Sequence, residues 1–203
     1  MHLRTVLTLA TVAFATAAFA QDVNSPLAPD TFQVRYASNL NKGDSYVNIT
    51  NTGSDDGENI CVNVYTFDPS EEMVSCCSCV VTPNALVSLS VQGDLISNTL
   101  SPSTPTAVVI KLVATPTLVG SIPCNPGIEE PPVPGMRAWG TTLHALPTTP
   151  ATYGLTESIF LPGGLSLAEY THITSFCGFI NANGSGFGIC KSCRAGGLGG
   201  AKQ

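Results

Sequence analysis

Charge is what this sequence has least of. Asp, Glu, Lys and Arg make up 11% of its 203 residues, and only 8 of these side chains are basic. Lys42, Lys111, Lys191, Arg194 and Lys202 are scattered or terminal and form no patch, so the electrostatic footprint of a nucleic-acid or anionic-membrane binder is missing. Histidine is also scarce: His144 and His172 are the only two beyond the first segment. There is no Gly-x-Ser-x-Gly elbow and no His-Glu-x-x-His helix. No residue is therefore assigned a catalytic role, and no motif calls for a cofactor. Past residue 20 no apolar run approaches the roughly 20 residues needed to span a bilayer. With 43% hydrophobic residues the chain is too apolar to stay disordered.

The first twenty residues have another purpose. Met1-His2-Leu3-Arg4 is a short basic start, Val6 to Phe19 is apolar, and Ala18-Phe19-Ala20 supplies small residues at −3 and −1. These are the three parts of a secretory signal peptide, so residues 1–20 are expected to be removed and the rest exported, to the periplasm or the extracellular space. Residues 21–194 then form one domain of ordinary size, followed by a Gly-rich, flexible tail over 195–203. No membrane insertion is expected after cleavage.

Cysteine is plentiful. Cys61, Cys76, Cys77, Cys79, Cys124, Cys177, Cys190 and Cys193 all lie beyond the leader. An even number in an exported chain reads as a disulfide framework, though eight cysteines allow about 105 pairings. The hydrophobic pattern narrows the fold. Residues 32–36, 46–50, 60–67, 73–81, 85–91, 108–113, 136–145 and 153–161 are short runs of alternating or β-branched composition, separated by Gly, Pro, Asn and Asp. That spacing predicts a mainly β protein, an antiparallel sandwich or barrel, of which the sandwich-like arrangement is preferred. Ser166-Leu167-Ala168-Glu169 matches a capping box, and Leu167, Tyr170, Ile173, Cys177 and Ile180 follow at helical spacing, which predicts one C-terminal α-helix over residues 167–181.

Strand alternation puts Cys77 and Cys79 on one face and Cys76 on the other. If residues 60–67 and 73–81 form a hairpin with Phe67 opposite Met73, Cys61 lies opposite Cys79, or opposite Cys77 with a shorter turn. A bond from Cys61 to one of the two is expected. Cys190-Lys191-Ser192-Cys193 is read first as a structural pairing, either internal or back to the Cys76–Cys79 run. The alternatives are a four-thiolate zinc site of Cys77, Cys79, Cys190 and Cys193, and a redox-active pair. Gly184 to Gly188 is read as a flexible turn. Asp55, Asp56 and Glu58 are read as a solvated turn in preference to a calcium site.

The segments Ile60-Cys61-Val62-Asn63-Val64-Tyr65, Ser75-Cys76-Cys77-Ser78-Cys79 and the ending from Gly186 to Gly197 resemble a group of Cys-rich exported bacterial proteins of the soil-bacterial type. No function is established for that group, so the resemblance implies export and nothing about activity. Tyr46 to Gly53 also resembles strands of immunoglobulin-like sandwiches. The function expected from these readings is a structural or interaction protein of the envelope or extracellular space, a surface-assembly subunit or an adhesin-like binder. Its partner would be an unidentified protein, a surface ligand or further copies of itself. The rival class is an extracytoplasmic hydrolase or thiol–disulfide redox enzyme using His144 or the Cys190/Cys193 pair.

Overall fold

In this computed structural model, residues 28–120, 123–146, 152–186 and 188–195 are described. The expected leader over residues 1–20 and all but the first residue of the Gly-rich tail lie outside them. The chain is mainly β. Its strands are β1 (Phe32–Ala37), β2 (Tyr46–Asn51), β3 (Ile60–Phe67), β4 (Met73–Val81), β5 (Leu86–Ser90), β6 (Val108–Pro116), β7 (Met136–Ala145), β8 (Tyr153–Ile159), β9 (Leu161–Pro162) and β10 (Gly188–Ile189). One α-helix, α1 (Leu167–Ala182), follows β9. A π-helical turn (Val91–Leu95) and a 3-10 helix (Lys191–Ala195) complete the elements.

Two sheets form. One runs in the order β10-β4-β3-β6-β1-β9, the other β5-β2-β7-β8. Every pairing is antiparallel except that of β10 with β4. The sheets pack face to face. Val62, Val64, Cys77, Cys79, Ile110 and Leu112 of the first meet Val47, Ile49, Val87 and Leu89 of the second in one buried core. The alternation noted in the sequence has this physical cause: each inward residue loses its water, and its neighbour faces the other way.

The opposite face of the six-stranded sheet is also covered. There Phe32, Tyr65, Met73, Cys76 and Val113 pack against Tyr170, Ile173, Cys177 and Ile180 of α1. This explains why β3 and β4 are buried along nearly their whole length, with no polar face. The Ser166 hydroxyl caps α1 by accepting from the Glu169 amide at 3.2 Å. Only half of the capping box forms, because the Glu169 carboxylate turns to Lys111 Nζ at 2.6 Å.

The Pro-rich stretch between β6 and β7 is tied down by two phenols. Tyr65 donates to the Pro126 carbonyl at 2.9 Å, and Tyr170 donates to the Glu130 carbonyl at 2.7 Å. Burial pushes the Tyr65 phenol well above its ordinary value, and Tyr170 next to it adds to the effect. Burial, with smaller contributions from Glu129 and Glu130, raises Tyr170 to about 12. Because both folded values lie above the unfolded value of about 10, this stabilisation is complete below about pH 10 and is lost as pH rises, for Tyr170 through about 12. A spectrophotometric titration should show Tyr170 ionising near pH 12, and Tyr65 only as the fold is lost. Ionisation of Tyr65 and Tyr170 near pH 10 in folded protein would contradict this packing.

Candidate functional site

Four disulfides join all eight cysteines: Cys61–Cys124, Cys76–Cys177, Cys77–Cys190 and Cys79–Cys193. The expected bond from Cys61 to Cys79 or Cys77 is not made. The reason lies in the hairpin. Phe67 does face Met73, but the register shifts by one residue between Thr66 and Phe67, so Thr66 faces Ser75 and Cys61 faces Val80. A shift of one residue moves a side chain to the other face. Cys61 therefore lies on the outer face with Tyr65, where Cys124 of the Pro-rich stretch reaches it.

The two faces of β4 carry separate clamps. Cys76 on the outer face holds α1 through Cys177, and Asn181 of the same helix donates to Cys76 Sγ at 3.2 Å. Cys77 and Cys79 point inward, to the end of the core between the sheets. Cys190 and Cys193 are not bonded to each other. Each returns to β4, which is one of the two structural pairings expected for them.

Backbone contacts bring this second pair of cysteines to the first. After α1 the chain makes a turn at Gly184 and Gly186, both with positive φ. Gly186 donates its amide to the Asn98 carbonyl at 2.9 Å, and Asn98 Nδ2 donates back to the Gly186 carbonyl at 2.7 Å. Within the segment read as a flexible turn, Gly186 is thus held to Asn98, and Gly188 and Ile189 form β10 against Cys77 and Ser78. The Cys190 amide donates to the Ser78 carbonyl at 3.0 Å. The chain then enters the 3-10 helix, where Asp94 receives it. One carboxylate oxygen accepts from the Ser192 amide at 2.7 Å, and the other from the Ser192 hydroxyl at 2.8 Å and the Ser90 amide at 2.9 Å. Asp94 is 1% exposed, so these donors are what offset its desolvation. Its role had no signal in the sequence, since it depends on a partner 98 residues away. The outcome is a sulfur-rich end of the sandwich, in which the sulfurs of Cys79, Cys190 and Cys193 all lie within 4.8 Å of one another.

No family model matches this chain, and neither a curated protein nor a solved structure matches it significantly.

The other candidates are dispersed. His144 packs edge-on to Tyr36 at 6.4 Å, near the end of β7. His172 stacks on Phe176 at 6.1 Å on the exposed side of α1, so the two histidines serve different surfaces. His172 lines a groove of about 510 Å³ with Phe67, Glu71, Glu72, Met73 and Phe176. A larger cleft of about 670 Å³ lies between Asn98, Asn125, Asn181 and Ser185, and its lining carries amides and backbone but no carboxylate or imidazole. Asp56 and Glu58 are exposed and Asp55 half-buried in the turn between β2 and β3.

One sheet edge stands apart. Among the described residues β8 borders the four-stranded sheet with only β7 beside it, and Leu155 and Ile159 on it are 63% and 67% exposed. Among the described residues no helix is long and apolar enough to cross a membrane.

Proposed function

We propose that this chain is an exported structural or interaction protein of the cell envelope or extracellular space, acting as a subunit of a surface assembly or as an adhesin-like binder. The observation that carries the reading is the complete pairing of its cysteines. Four disulfides fit a protein made for an oxidising compartment. Three of them fasten the C-terminal segment to a single strand, which suits a module that must keep its shape outside the cell.

The edge of β8 supports the interaction side of this reading. It presents apolar side chains on a strand that, among the described residues, pairs on one side only, the geometry by which sheets extend from one chain to another. Sedimentation velocity over a range of concentrations tests it. Larger species should build up with concentration in the wild type and disappear in Leu155→Lys/Ile159→Lys, since lysine on an edge strand blocks pairing. Both side chains are exposed, so the fold is expected to survive. A wild type that stays monomeric at every concentration would rule out self-assembly through this edge.

The redox reading of Cys190 and Cys193 has less support from the geometry. A redox-active pair shuttles one bond between its own two sulfurs, whereas these two sulfurs are committed to separate partners on β4.

A further inference from the structure

We propose that Cys77, Cys79, Cys190 and Cys193 form a four-thiolate site for one Zn²⁺ ion whenever their two disulfides are open, as in the chain before oxidation. The placement of the four side chains leads to this. A tetrahedral zinc ion with Zn–S bonds of about 2.3 Å holds its sulfurs about 3.8 Å apart. Cys79, Cys190 and Cys193 already lie within 4.8 Å of one another. Cys77 is bonded to Cys190, so its sulfur has only to swing outward about its own side-chain bonds to become the fourth ligand.

The donors come in two pairs. Cys77 and Cys79 are alternate residues of β4 on its inner face, and Cys190 and Cys193 bracket a tight turn closed by the Cys193 amide on the Cys190 carbonyl at 3.0 Å. Bonds that do not involve sulfur hold the pairs together: β10 on β4, the Cys190 amide on Ser78, and Ser192 on Asp94. Opening the disulfides leaves all of these in place. Cys77, Cys79 and Cys190 are 0–1% exposed, which keeps competing water from the metal. The other two disulfides offer nothing similar. Among the described residues this is the one group of three or more metal-ligating side chains brought together.

The chemistry balances with a thiol as reductant. Each disulfide takes two electrons and two protons from two thiol molecules, which leave joined as a disulfide. The four cysteine thiols then release four protons as they bind Zn²⁺, giving a site of net charge −2. An oxidising disulfide runs the sequence backwards: it accepts two electrons per bond formed and the zinc is expelled.

The test uses the full mature chain, reduced with a phosphine and supplied with zinc chloride. Free metal is removed, and the thiols are labelled briefly with N-ethylmaleimide and mapped by mass spectrometry, with and without a strong chelator. The expected result is one zinc per chain, with labelling lost at Cys77, Cys79, Cys190 and Cys193 only while zinc is present. Cys61, Cys76, Cys124 and Cys177 should label equally in both arms. Cys190→Ser/Cys193→Ser should lose the zinc and Cys61→Ser/Cys124→Ser should keep it. Absence of retained zinc in the wild type, labelling that ignores the chelator, or zinc retained by Cys190→Ser/Cys193→Ser overturns the proposal. None of these outcomes bears on the disulfides of the oxidised protein.

Discussion

Replacing Cys79 and Cys193 together by Ala should cost about 2 kcal/mol of stability, and replacing Cys77 and Cys190 as well should bring the loss to about 5 kcal/mol. The bridges span 113 and 114 residues in sequence. A lone cross-link closing a loop of that size restricts the unfolded chain by nearly 5 kcal/mol on the chain-entropy scale. These bridges are not alone. With Cys77–Cys190 in place, the loop that Cys79–Cys193 closes is only about seven residues around, worth about 2 kcal/mol. With Cys76–Cys177 the one other clamp on β4, the loop that Cys77–Cys190 closes is about 16 residues, worth about 3 kcal/mol. Urea unfolding of the oxidised variants, with the slope of each transition compared, measures both values. A loss of nearly 5 kcal/mol from the first pair of substitutions alone would show that the three clamps on β4 act independently.

Gly186→Ala is expected to destabilise the fold strongly, by about 2–4 kcal/mol. Gly186 has φ of 68°, a region L side chains rarely adopt, and a Cβ there would stand 2.6 Å from the Cys76 carbonyl oxygen and 3.1 Å from its amide nitrogen. The obstacle is backbone in the middle of a buried strand, so it cannot rotate away. The turn from α1 to β10 would have to move, taking Cys190 and Cys193 with it. Thermal unfolding should show the loss of stability, and non-reducing peptide maps should show scrambled pairing at Cys77 and Cys79. Gly184→Ala is the comparison: its φ is also positive, but nothing lies within 4 Å of the added methyl, so only the backbone penalty remains. Equal effects at the two positions would mean that close packing under Cys76 is not what requires the glycine.

Much of this architecture is written locally. Strands such as Tyr46–Asn51 and Met136–Ala145 show their alternation in the sequence because one side faces the core, and Ser166 announces α1 because an N-cap is a contact between near neighbours. What was not legible depends on distant partners or on a single-residue offset. The register shift beside Phe67 has no sequence signature, yet it decides which face Cys61 occupies and sends it to Cys124. β10 is two residues long and exists only because Gly186 fits beneath Cys76 and Asn98 holds the turn. Asp94 reads as one acidic residue in a loop until Ser192 arrives beside it. The sulfur-rich end of the sandwich was thus foreseeable as a set of residues but not as a set of bonds.

The most direct test of the disulfide frame is peptide mapping of native, unreduced protein after rapid alkylation of any free thiol. The expected result is no alkylated cysteine and four linked peptides joining Cys61 to Cys124, Cys76 to Cys177, Cys77 to Cys190 and Cys79 to Cys193. Alkylation at several of these positions, or a peptide that links Cys190 to Cys193, would contradict it.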